Sequence, residues 1–276
     1  MERPVPRLIR ALSSLAVAAL ASLPAHAEDL VLTGAGSLKE VMTEITRRFG
    51  EANGVLVKTA FGPSGLMRER IEKGETVHVF ASADMGHPLT LRDQGRASHV
   101  AMFTRNALCA VAKPAIGLSP GNFLETLLDP AVKLGTSTPK ADPAGDYTWA
   151  MFRIADALKP GSFATLEGKA QQIVGGATSN ADVGGRDPAV AALADGRVDL
   201  VIGYCTSARL RVAQMPELQV VEVPTAMRVG PEYGLAVIKD AGPAAVGLAF
   251  YILSPEGQAI LARYGFDPVG LPAKTR

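Results

Sequence analysis

Short apolar runs alternate with amphipathic stretches over most of the chain. "LVLTGAG" is followed by "SLKEVMTEITRRFGEANG", "VLVKTAFG" by "SGLMRERIEKG", and "VHVFASA" by "MGHPLTLRDQG". The first member of each pair has the apolar character of a strand, and the second places its apolar residues at helical spacing. Strands separated by helices of this length imply βαβ units and a parallel sheet. "NALCAVAKP" predicts a further strand, ended by Pro114, and "GNFLETLLDPAV" a helix. "VKLGTSTPKADPAGDYTWAMFRIADAL" reads as strand, loop and helix. "GKAQQIVGGATSNADVGGRDPAVAALADGRVDLVIGY" repeats the scheme, with a polar glycine loop before its helix and an apolar strand after it. "YGLAVIKD" predicts a late strand, and "AAVGLAFYILSPEGQAILARYGF" is helical with an interruption near Ser254-Pro255. There is no repeat, low-complexity tract or Pro/Ser-rich linker, so a division into two lobes has to be made by segments that cross between them.

The first 27 residues break this pattern. Arg3, Arg7 and Arg10 precede an apolar stretch from Ala11 to Leu23 and then Ala25-His26-Ala27, the order of a secretory signal with a small-residue cleavage site. Export to the periplasm is the expectation for residues 28–276. Removing residues 1–27 takes away three arginines and Glu2 and leaves 25 basic against 26 acidic residues, a formal charge of −1. Such a balance offers no basic field for nucleic acid. Cys109 and Cys205 are the only cysteines, an even count that permits one disulfide in an oxidising compartment; the alternative is two buried thiols acting as small hydrophobes. His78, His87 and His99 have no metal-ligand spacing, so neither a catalytic metal nor a cofactor is expected.

Four turns carry the candidate chemistry. "TGAGSLKEVM" places Ser37 in a glycine turn between strand and helix, and "FGPSGLMRERI" does the same with Ser64. "KADPAGDYTWAMF" puts Pro143, Ala144 and Gly145 at a helix start, and "VGGRDPAVAAL" puts Arg186 and Asp187 before another, with Pro188 suited to its first turn. The first N–H groups of a helix have no intrahelical partners and bind anions. Capping serines and plain punctuation explain each turn equally well when it is taken alone. The first turn fails as a dinucleotide fingerprint, since Lys39 stands where the third glycine belongs. "GPSGL" fails as a nucleophile elbow, since Leu66 stands where glycine is required.

In order and spacing, "GAGSLKEVM", "FGPSGLMRERIEKG", "VFASAD", "DPAGDY", "DLVIGYCTSA" and "SPEGQAILARYGF" resemble the periplasmic molybdate-binding proteins of ABC transporters. The resemblance implies an α/β, two-lobed periplasmic binding protein fold of type II, with the ligand cleft between the lobes. It implies a first lobe built from about 28–106 and 206–276, and a second from about 107–205. Matched residue by residue, it places the ligand serines on Ser37 and Ser64, a backbone donor on Ala144 and a tyrosine hydroxyl on Tyr204. The remaining backbone donor falls on Arg186 by gapless counting, or on Val183 if an Asp-Val pair is matched instead. His78 stands where the family commonly has aspartate. The implied partners are a small oxyanion and an inner-membrane ABC permease, with no enzymatic activity and a monomeric state.

Molybdate and tungstate are fully deprotonated dianions near neutral pH, so hydroxyls and backbone N–H groups satisfy them without an acceptor. Hydrogen phosphate carries a proton, which a shell free of carboxylates leaves unpaired at a cost of about 1–3 kcal/mol. Sulfate differs from molybdate mainly in size, which the sequence does not encode legibly. Another oxyanion or a small organic acid is therefore the alternative ligand, and an exported hydrolase is the alternative function.

Overall fold

The computed structural model describes Met1 and residues 29–176 and 185–270; the rest of the expected signal segment, and Val183, lie outside the described residues. The chain begins as its pattern predicts: β1 (Leu30–Ala35), α1 (Lys39–Asn53), β2 (Val57–Gly62), α2 (Ser64–Glu72), β3 (Val79–Ser82) and α3 (Gly86–Asp93). Next come β4 (Ala97–Arg105), β5 (Leu108–Ala112), α4 (Phe123–Leu128), β6 (Leu134–Ser137), α5 (Pro143–Leu158), α6 (Ser162–Lys169) and β7 (Gln171–Val174). Then follow α7 (Pro188–Ala194), β8 (Leu200–Tyr204), α8 (Cys205–Gln214), β9 (Gln219–Glu222), β10 (Glu232–Ile238), α9 (Gly242–Leu253), α10 (Pro255–Arg263) and β11 (Asp267–Pro268).

The described strands form two sheets, one in the order β11-β4-β10-β3-β1-β2 and one in the order β7-β6-β8-β5-β9. Each sheet is covered by helices on both faces, which gives the two α/β lobes. Period-two alternation does the sorting in the second sheet. Leu108, Ala110 and Ala112 of β5 face the main core with Phe152 and Leu166, while Cys109 and Val111 face a smaller cluster with Ala189, Leu193 and Ala208. In the first lobe α1 buries Val41, Met42, Ile45 and Phe49 along one stripe, each contributing about 1.5–3 kcal/mol, and it ends at Gly54 in the left-handed conformation.

Two expectations change. The sheets are mixed rather than parallel: β1 runs parallel to β2 and β3, but β10 is antiparallel to β3 and β4, and β5 is antiparallel to β8 and β9. The chain also returns to the first lobe later than the expected boundary at 205/206. Because β9 pairs with β5, α8 and β9 stay with the second sheet, and the return crossing lies between Glu222 and Glu232. Antiparallel neighbours follow from strands that enter a lobe on one crossing and leave it on another. The interruption at Ser254-Pro255 is a 57° bend between α9 and α10, and among the described residues no single helix is long and apolar enough to cross a membrane.

Candidate functional site

Neither serine caps its helix. Gly36–Leu38 forms one 3₁₀ turn between β1 and α1 with Ala35 at its N-cap, and Ser37 Oγ lies 3.1 Å from Tyr233 Oη. Ser64 is the first residue of α2, fully buried, and its Oγ accepts the Ala83 N–H at 3.1 Å. The two aspartates next in line do cap. Asp142 accepts from Ala144 N at the start of α5, and Asp187 accepts from Ala189 N and Val190 N at the start of α7, each followed by proline in the first turn. Arg186 therefore lies one residue before its helix cap, and Ala144 N–H already has an acceptor in Asp142 Oδ1 at 3.1 Å.

These four helix starts meet in one cleft of about 360 Å³. Ser37, Ala144, Arg186 and Tyr204 line it together; Ser64 sits just beneath, behind the lining residues Gly62 and Pro63. The cleft lies between the sheets, and backbone-level contacts close it. Gly65 N–H of α2 donates to Ala141 O in the loop before α5 at 3.0 Å, and a Cβ on Gly65 would sit 2.4 Å from Lys140 O. Only glycine permits that approach. Tyr204 Oη donates to Ala83 O at 3.3 Å, so the peptide groups of Ala83 join Ser64 of one lobe to Tyr204 of the other. Tyr147 Oη accepts from Glu232 N–H at 3.2 Å across the same divide.

A hydrogen-bonded chain orients Ser37. Ala107 N–H donates to Asn106 Oδ1, which fixes the amide so that Asn106 Nδ2 donates to both Thr206 Oγ1 (2.9 Å) and Tyr233 Oη (3.0 Å). When Tyr233 in turn donates to Ser37 Oγ, the serine hydrogen is left for the cleft. Burial pushes the hydroxyls of both Tyr204 and Tyr233 well above the ordinary phenol range, so both keep their protons as donors at physiological pH. Thr206 is the threonine of the "YCTSA" motif; its role is to tie α8 to Asn106 on the first crossing between the lobes.

The cleft wall is more charged than the sequence suggested. Asp142, Asp187 and Arg211 all line it, so the lining is not free of carboxylates. Both oxygens of Asp142 are engaged inside the protein, Oδ1 by Ala144 N–H and Oδ2 by Ser137 Oγ. Burial raises its carboxyl above the usual range, with those bonds and the Arg211 charge acting in the opposite direction. His78 is remote from the cleft: its Nδ1 accepts the Val31 N–H at the start of the first sheet. Cys109 and Cys205 form a disulfide with Cα atoms 4.9 Å apart. It joins β5 to the first residue of α8, directly behind Tyr204. Among the described residues no group of three or more His, Cys, Asp or Glu is arranged to hold a metal ion.

The family model for bacterial extracellular solute-binding proteins matches residues 30–267. An uncharacterized protein of Pasteurella multocida (strain Pm70) is 36% identical over 208 residues, covering 74% of this chain and 85% of that protein. The molybdate-binding protein ModA of Rhodobacter capsulatus is 32% identical over 190 residues, covering 65% of this chain and 72% of that protein. Among solved structures, the Azotobacter vinelandii periplasmic molybdate-binding protein superposes with a TM-score of 0.67 at 18% identity, covering 89% of this chain and all of that one. The Mycobacterium tuberculosis sulfate-binding protein SubI superposes with a TM-score of 0.71 at 17% identity, covering 87% of each chain. Two α/β lobes, a cleft lined by helix starts, and a family match spanning both lobes agree: the chain belongs to the bacterial extracellular solute-binding proteins.

Proposed function

We propose that this protein captures molybdate or tungstate in the cleft between its lobes and hands it to an ABC permease in the inner membrane, acting in the periplasm after removal of residues 1–27. The observation that carries this reading is the convergence of four helix starts on one cleft that also receives Ser37 and Tyr204. The positive ends of the backbone dipoles at these helix starts favour an anion, although Asp142, Asp187 and Ala141 O already take N–H groups of α5, α7 and α2. The ligand contacts are Ser37, Ser64 and Tyr204 through hydroxyls, and Ala144 and Arg186 through backbone N–H. Ala144 N–H reaches the anion by sharing its hydrogen with Asp142. The ModA relative of Rhodobacter capsulatus supports the choice of oxyanion.

Calorimetric titration with molybdate, tungstate, sulfate and phosphate tests the reading. Heat with the metal oxyanions is expected, and its absence with both overturns it. A second reading is favoured by the charged wall: Asp142 beside Arg211 suits an oxyanion that keeps a proton, or a small organic acid. Tight binding of phosphate in the same titrations selects that reading.

A further inference from the structure

Arg211 is the residue that the helix-start chemistry leaves unexplained. It lies on α8, is only 5% exposed, and lines the cleft. Its Nε donates to Asp187 Oδ1 at 3.2 Å, while its Nη1 is buried and has no hydrogen-bond partner among the described residues. Gly203, on the strand leading to Tyr204, makes room for that end of the guanidinium: a Cβ there would lie 2.9 Å from Nη1. A buried N–H on a charged group without an acceptor is costly, because desolvation is not repaid by any bond. Asp187 is itself shared among Ala189 N, Val190 N and Arg211 Nε, so it neutralises the guanidinium through one N–H only.

We propose that Arg211 is a direct, charge-bearing ligand for the oxyanion in this cleft, donating Nη1–H to one of its oxygens. The inference rests on the reading of the cleft as an oxyanion site, and it adds a countercharge to a donor set otherwise made of hydroxyls and backbone N–H groups. The ligand class is a doubly charged oxyanion; a guanidinium provides a fixed full charge where dipoles provide fractions. Asp187 holds the guanidinium in place and competes for its charge.

Two substitutions with opposite expected signs test this. The parent, Arg211→Met and Asp187→Asn are titrated with molybdate, tungstate, sulfate and phosphate, and each unliganded melting temperature is recorded. Arg211→Met is expected to weaken every anion that the parent binds on the order of 10- to 100-fold, the range for a hydrogen bond to a charged group. Asp187→Asn retains the helix cap and releases the guanidinium from its competitor, so its affinity is expected to equal or exceed that of the parent. If Arg211 serves only as the structural partner of Asp187, both variants lose affinity and melting temperature together, and that result overturns the proposal. Parental affinity in Arg211→Met also overturns it. Should the methionine variant not fold, Arg211→Gln decides: it keeps a polar side chain but removes the charge, and an undiminished affinity overturns the role. If the parent binds sulfate or phosphate but neither metal oxyanion, the molybdate reading falls while the arginine variants still decide this one. If it binds none of the four, both fall.

Discussion

Replacing Gly65 with alanine should separate cleft closure from folding. The new Cβ would lie 2.4 Å from Lys140 O and 2.9 Å from Ala141 O, where contacts under 3.0 Å are essentially never found. Both neighbours are backbone atoms, so neither yields by changing rotamer. The lobes must therefore separate by roughly 0.6 Å, the difference between 2.4 and 3.0 Å. Withdrawal on that scale takes the Gly65 N–H to Ala141 O bond from 3.0 Å to about 3.6 Å, past useful hydrogen-bond range. Losing that bond costs about 0.5–1.5 kcal/mol, and misaligning one charge-assisted donor on the facing lobe about 1.5–3 kcal/mol. The sum, roughly 2–4.5 kcal/mol, corresponds to binding weakened about 30- to 2,000-fold. Folding of the lobe itself is unharmed, since alanine is a better helix former than glycine and Gly65 lies within α2. Calorimetric titration with molybdate gives the affinity, and unliganded thermal melting gives the stability, expected within about 3 °C of the parent. A variant that binds as tightly as the parent refutes the argument that closure brings these backbones together.

Ser37→Ala and Ser64→Ala should each weaken molybdate by about 1.5–3 kcal/mol, and Tyr233→Phe should reproduce part of the Ser37 loss; unchanged affinity in either serine variant removes that residue from the site. Asp142→Asn keeps the bonds to Ala144 and Ser137 with its amide oxygen and nitrogen. Because burial raises the folded carboxyl above its ordinary value of 3.8, its contribution to stability is complete below that value and is lost as pH rises through the folded one. The melting temperature of the asparagine variant relative to the parent should therefore grow more positive as pH rises above 3.8, and a flat difference refutes it. Reducing the Cys109–Cys205 bond, which spans 96 residues, should remove about 4 kcal/mol and lower melting on the order of 10 °C. Two free thiols in the denatured, unreduced protein would contradict the bond itself.

Local signals were the ones the sequence expressed well. The alternation of strand and helix, the Asp-Pro helix starts at Asp142 and Asp187, and the break at Ser254-Pro255 each depend on residues within a few positions of one another. β4 escaped notice because it mixes Ser98, His99 and Thr104 with apolar residues at half-buried positions, and β9 because only Val221 of its four residues is buried. The expected lobe boundary came from the resemblance, and β9, with one buried residue in four, offered no local signal that α8 belongs to the second lobe. Arg211 was illegible for a related reason. An arginine on a helix of low apolar content reads as solvent-facing, and its burial depends on Gly203 and Asp187, which only folding brings to it. The chain from Ser37 to Tyr233 spans 196 residues, so the partner that frees the serine hydrogen has no local signature.

Tyr204 has one hydroxyl proton and two claimants for it. Ala83 O takes it at 3.3 Å, a long bond for a hydroxyl donor. Any cleft occupant that uses Tyr204 must win the proton from that carbonyl, so the residue contributes only the difference between the two bonds. Hydrogen bonds to charged acceptors are worth about 1.5–3 kcal/mol and those to neutral ones about 0.5–1.5 kcal/mol. A fully ionised oxygen gains by the exchange, whereas a protonated or neutral oxygen breaks even or loses. In the proposed oxyanion site, Tyr204 would set a threshold on acceptor strength and disfavour weak acceptors that fit the cleft by size alone.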